Sequence, residues 1–253
     1  MERAHFGFKL PEIEGAQRET LVQMWRLVLR LQRKSPDWIC GAFGLFNHDD
    51  DFVGSFTPSA AALGACPTVD ATAQSISALC AAAESAELNK GIFGDCRELM
   101  DLTKSAVRKG VEFLLRQQTG GAWPIFRYEN DAFRMPHRDL SSRFAVEALE
   151  RALGSGFLTK RNRTKIVKAL SAFWLFASKS FKTEGAGLFW SPNFVKANAS
   201  IGELLQSSAT VSLALASAGK CLPADQFDQK EMRTGFLEFI RQNWHPERSS
   251  YSR

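Results

Sequence analysis

From Gln17 to Arg33 the apolar residues Leu21, Met24, Trp25, Val28 and Leu29 recur at spacings of three and four. Charged and amide side chains fill the positions between them. That period places side chains on one face of a helix, so the pattern predicts an amphipathic helix here. The same spacing predicts helices over Glu98–Gln118, Thr164–Ser180 (Ile166, Val167, Leu170, Phe173, Trp174, Phe176) and Gln226–Gln242. Between these bulky segments lie three of another kind. Thr68–Glu87, Ser141–Leu153 and Ser208–Ala218 are rich in Ala and Ser, and slim helices of that composition can approach several neighbours at once.

The slim segments align with one another. Thr72–Leu79, Ser142–Leu149 and Ser208–Leu215 each begin with a hydroxyl residue and end in Ala-Leu. Bulky and slim helices therefore alternate as an internal repeat of roughly 60–85 residues. Two concentric rings would account for the alternation: crowded inner helices need Ala and Ser, while outer helices have room for Phe, Trp and Leu. Residues 1–15 read as an irregular lead-in with Pro11 and Gly15 as breakers, and residues 16–253 as one repeat domain. Cys40–Pro67 reads as a long loop with a short helix at 58–66, and Pro124–Pro136 as an irregular connection.

One stretch organises the rest. Lys109–Trp123 carries the apolar run Val111, Phe113, Leu114 and Leu115, then Gln117-Gln118, a Gly120-Gly121 turn and Trp123. Glycines supply the positive-φ positions that stop a helix, the glutamine can satisfy backbone groups freed there, and the indole offers a broad face with one donor. Looser copies run from Leu31-Gln32 to Trp38, over Gly185–Trp190, and from Gly235 to Trp244. The layout resembles the QW repeat of the squalene–hopene cyclase and terpenoid-cyclase superfamily, whose α/α toroid is shared by the protein prenyltransferases. The resemblance implies an all-α, toroid-like array of alternating inner and outer helices. Three pairs and a lone outer helix are fewer than a closed toroid holds, so an incomplete barrel is expected, with apolar flanks left for a second copy or a protein partner.

The resemblance also directs attention to Thr68-Val-Asp-Ala-Thr-Ala73. Class II terpenoid cyclases carry Asp-x-Asp-Asp-Thr-Ala at the start of an inner helix, where the middle aspartate donates the proton that starts cyclisation. Asp70 holds that middle place and Thr72-Ala73 follow it, but Thr68 and Ala71 stand where the acidic neighbours would be. A carboxyl without those neighbours is as well explained as a helix cap, kept ionised by backbone amides and the helix dipole, and a lowered pKa is the expectation. His137-Arg-Asp139 precedes the second slim helix, and His137 is a second candidate on the same rim as Asp70.

Other clusters carry less. His48-Asp-Asp-Asp51 lacks the Asp-Asp-x-x-Asp spacing that holds a diphosphate through magnesium, and Asp95-Cys96 lacks the spacing of a prenyltransferase zinc site. No metal or other cofactor is expected. Apolar residues make up 45% of the chain and charged residues 23%, which is globular rather than disordered. Twenty Phe against two Tyr point to a large apolar core or a greasy cavity. The net charge of +5 is mild, and the cluster at Lys160–Lys168 reads as solvated helix surface, so no nucleic acid is expected. Five scattered cysteines without CxxC spacing fit reduced thiols in the cytoplasm, and no run is long and apolar enough to span a membrane. The functional expectation is a degenerate squalene-cyclase-repeat scaffold binding a protein or an isoprenoid or other lipid-like ligand. The alternative is a class II cyclase-like enzyme that protonates an isoprenoid through Asp70.

Overall fold

The computed structural model describes residues 15–34, 40–44, 68–88, 95–125, 137–196, 198–222, 229–245 and 250–251. Seven α-helices dominate these residues: α1 (Gly15–Arg30), α2 (Val69–Leu88), α3 (Arg97–Gln117), α4 (Asp139–Gly154), α5 (Lys160–Ser180), α6 (Ile201–Gly219) and α7 (Gln229–Asn243). The protein is all-α; among the described residues strands are confined to a hairpin of β1 (Lys182–Glu184) and β2 (Gly187–Phe189) and a two-residue pair, β3 (Trp244–His245) with β4 (Ser250–Tyr251).

The slim helices form one layer. α4 packs between α2 and α6, and Ala83, Ala145, Ala148, Ala152, Ala214 and Ala218 are buried where those helices meet their neighbours. The bulky helices form the other layer: α1 packs on α3, and α3 on α5, each also touching the slim row. α7 closes the far end against β2 and α6. Among the described residues α2 and α6 make no extensive contact with each other. A single apolar core runs through both layers, from Val22 and Trp25 on α1 to Val211 and Leu215 on α6.

Five helix starts lie earlier than periodicity places them, α1 by two residues and α3 by one, with α4, α5 and α6 the other three. α5 begins at Lys160 because Thr159 accepts the Asn162 amide at 3.2 Å. α6 begins at Ile201, since Ser200 and Glu203 make reciprocal side-chain and backbone bonds that cap its first turn. α4 begins at Asp139, two residues before the expected start. The lead-in up to residue 14, most of Cys40–Pro67, residues 126–136, Trp38 and His48–Asp51 lie outside the described residues.

Candidate functional site

The repeat is joined at one recurring place, where the chain leaves a bulky helix and enters a slim one. The hydroxyls that align in sequence perform the same task in three units. Thr72 Oγ1 accepts the Phe43 amide at 3.0 Å, Ser142 Oγ the Trp123 amide at 3.0 Å, and Ser208 Oγ the Trp190 amide at 2.9 Å. All three hydroxyl residues are fully buried. A buried amide without a partner is costly, so each hydroxyl fixes the loop that carries the aromatic residue.

The glutamine makes a second joint in two units. Gln32 Nε2 donates to Gly41 O at 3.1 Å and to Ala106 O of α3 at 2.8 Å. Gln118 Nε2 donates to Gly121 O at 3.0 Å and to Ala169 O of α5 at 2.9 Å. Each side chain thus clamps its own loop to the next bulky helix. Both glycines have positive φ and lie on that helix three residues beyond the bonded alanine. A Cβ on Gly41 would sit 2.2 Å from Lys109 O, and one on Gly121 would sit 2.7 Å from Ala172 O. Only glycine fits either place.

The indoles complete the pattern. Trp123 Nε1 donates to Leu114 O at 2.8 Å, and Trp190 Nε1 to Ala177 O at 2.9 Å, both rings being buried. Four residues after Leu114 stands Gln118, and four after Ala177 stands Phe181, whose ring meets Trp190 edge-on at 6.4 Å. In that unit no glutamine stands at this place, and β2 packs on α7 with Leu188 close against Gly235. In the first unit the aromatic position belongs to Phe43, not to Trp38 as the spacing from Gln32 suggested. The register comes from Gly41-Ala42-Phe43, which matches Gly121-Ala122-Trp123 in both bonding and packing.

Asp70 departs from its expected role. The cap of α2 is Thr68, whose Oγ1 accepts the Ala71 amide at 3.1 Å, while the Val69 amide donates to Ile125 O at 2.9 Å. The Asp70 carboxyl is half-buried against the first turn of α4. Its Oδ1 has no hydrogen-bond partner, and neither does the fully buried Ser141 Oγ. Burial raises the Asp70 pKa above its ordinary 3.8, opposed by the nearby Ser141 hydroxyl and the Arg138 charge. Ser141 acts here through proximity rather than in hydrogen-bonding geometry. The lowered pKa expected of a cap is therefore corrected to a raised one: Asp70 lies inside the first turn of α2, after the Thr68 cap, and the Thr72 amide that a capping Asp70 would hold donates to Thr68 O at 3.0 Å.

His137 lies on the same rim but is not among the groups that shift Asp70. Its backbone bridges Pro124, and its ring meets Phe176 of α5 edge-on at 5.3 Å. Burial lowers its pKa, against an opposing backbone hydrogen bond to Thr119. The two candidates thus face different neighbours, Asp70 toward α4 and His137 toward α5. Neither lines the cavities described below.

A cleft of about 250 Å³ lies between α5, α6 and α7, walled by Trp174, Trp190, Leu215, Met232, Phe236 and Leu237. Its wall is mainly apolar, with Ser212 and Arg233 as its polar residues. A larger cavity, about 1120 Å³, lies at the C-terminal ends of α2 and α4 and carries mixed charge, including Glu84, Arg151 and the Lys220–Glu150 pair at 3.4 Å. Burial pushes the thiols of Cys80 and Cys221 in its wall up to about 11, so neither is a ready nucleophile. Asp95 is held down at about 2 by its bonds to Arg97, and no group of three metal-ligating side chains occurs among the described residues. No family model, curated protein or solved structure matches this chain.

Proposed function

We propose that the chain is a degenerate squalene-cyclase-repeat protein, a toroid-like scaffold that binds a protein or a lipid-like ligand rather than catalysing a reaction. The observation that carries this reading is the joint made three times over, hydroxyl to loop amide, with the glutamine clamp and buried indole repeated in part. These bonds spend the polar residues of the QW-like motif on rigidity. What remains for a ligand is the apolar cleft beside Trp174 and Trp190, whose size suits a branched apolar group rather than a whole polycyclic substrate. A row of half- to well-exposed apolar residues on α1 (Leu21, Met24 and Leu27) supports association with a second copy or a partner. Free thiols at Cys40, Cys80 and Cys221 support a cytoplasmic setting.

The second reading, a class II cyclase-like enzyme using Asp70, is favoured by one observation: burial holds the carboxyl nearer its protonated form. One experiment separates the two. The protein is titrated with geraniol while tryptophan emission is followed, then incubated with geranylgeranyl diphosphate and the extract examined by mass spectrometry. Saturable quenching that Leu215→Trp abolishes, with the diphosphate recovered unchanged, supports the scaffold. A cyclised product lost in Asp70→Asn overturns it in favour of the enzyme, and absence of quenching removes the lipid-like ligand.

A further inference from the structure

The groove between α3 and α5 is a different surface from the apolar cleft. It encloses about 660 Å³. Arg161, Lys165 and Lys168 line its α5 wall, and Arg116 its α3 wall, against one carboxylate, Glu112. Arg161, Lys165, Lys168 and Ala172 follow one another at spacings of four, three and four, so they form a single stripe along α5. The exposed Leu175 continues that stripe by a further step of three.

Three features set the groove apart from ordinary solvated surface. First, the groove gathers four cations, Arg116, Arg161, Lys165 and Lys168, against the single carboxylate of Glu112. Second, aliphatic side chains line the groove beside the charges: Leu115, the buried Ala169 and the exposed Ala172. Third, the groove is rigid, because Gln118 at its end ties α3 to Ala169 of α5. A preformed groove loses little ordering entropy when it is filled.

From this we infer that the α3–α5 groove receives an acidic segment of a partner protein, with an apolar side chain seated on Leu115 and Ala169 and its carboxylates on Arg161, Lys165 and Lys168. This deepens the scaffold reading and rests on it, naming the chemistry of one partner. Charge complementarity selects an anionic occupant. The aliphatic lining selects a peptide over a nucleic acid, since single-stranded nucleic acids are held by aromatic faces on which bases stack, and no aromatic side chain lines this groove.

The test measures fluorescence anisotropy of three labelled probes on the full chain. One is a peptide alternating Glu and Asp with Leu at helical spacing, the second the same peptide with Ser for Leu, and the third an oligo-uridine of matched charge. The first is expected to bind most tightly and to weaken as salt rises. The double variant Lys165→Glu/Lys168→Glu should weaken it by about tenfold or more, as for removal of complementary interface charge. Lys179→Glu, an exposed charge reversal near the far end of the same helix, should leave it unchanged, and circular dichroism melts should show both variants folded. Equal binding of the Ser peptide would remove the apolar anchor, and tighter binding of oligo-uridine would transfer the groove to nucleic acid. Either result overturns the inference, as does absence of peptide binding. None of these outcomes touches the cleft beside Trp190, so the scaffold reading stands or falls separately by the geraniol titration.

Discussion

Thr72→Val tests whether the recurring hydroxyl is a structural joint. The substitution keeps the volume and the β-branch, so it opens no cavity and changes helix propensity little. What it removes is the acceptor 3.0 Å from the Phe43 amide, at a residue with no exposed surface. A buried donor left without a partner costs about 1–3 kcal/mol, and that whole range should appear as lost stability. Ser142→Ala and Ser208→Ala orphan the Trp123 and Trp190 amides in the same way, with about 0.5 kcal/mol returned because alanine is the better helix former. Ser105→Ala on the exposed side of α3 is the control and should fall within about 0.5 kcal/mol of zero. Equilibrium urea unfolding measures all four, with an unchanged slope showing that the transition itself is unaltered. Native-state hydrogen exchange should speed selectively at Phe43, Trp123 and Trp190 in their respective variants. If Thr72→Val proves no more destabilising than Ser105→Ala, the repeated bond contributes nothing and the repeat is only a resemblance of composition.

Trp123→Ala should destabilise by about 3–5 kcal/mol, because the ring is wholly buried, lies 6.1 Å from Phe173 and caps Leu114 O; a melting temperature equal to wild type would refute this. Asp70→Asn should be at least as stable as wild type at neutral pH. The folded pKa lies above 3.8, so the wild-type contribution is intact below that value and is lost as pH rises toward the folded pKa; the gap between the two proteins should close in acid, and a gap that widens there would reverse the assignment. Self-association through the Leu21, Met24 and Leu27 face of α1 should appear as a dimer in light scattering and be weakened by Met24→Lys, whereas a monomer at micromolar concentration counts against it.

Much of the fold is legible in the residues because it rests on local rules. The three-and-four spacing of Val107, Val111, Leu114 and Gln118 sets one face of α3, and the Ala/Ser composition of α2, α4 and α6 places them in the crowded layer. The early starts of α5 and α6 were also legible and were missed. Thr159 and the pair Ser200 and Glu203 are ordinary capping signals, but periodicity looks for apolar residues and the first turns of these helices hold few. Phe43 is harder to find, since a phenylalanine in place of tryptophan disguises the motif, and only the Gly41-Ala42 step before it gives the register. The hairpin at 182–189 is harder still. Its Phe181 occupies the glutamine position, and no local propensity announces that β2 will pack on α7.

The candidate site was legible only as a set of residue types. Sequence places Asp70 beside Val69 and Ala71, neighbours that say nothing about its charge state. Its raised pKa arises from burial, which outweighs the lowering pull of Ser141 and Arg138 some seventy residues on, and Thr68 has taken the capping bond that would have lowered it further. The same holds for the basic groove. Read along the chain, Lys160–Lys168 is one charged helix face among several. Only the packing of α3 on α5 brings it together with Arg116 and Leu115, with Glu112 as the one carboxylate on the same groove. In a repeat protein the positions that recur in each unit hold the array together, which is why they can be recognised from one sequence. Asp70, aligned with Leu140 and Gln206, and the α5 cations, aligned with nothing comparable on α3, are the positions that do not recur. Those are where a partner or a reaction would be specified, and their meaning comes from residues distant in the chain.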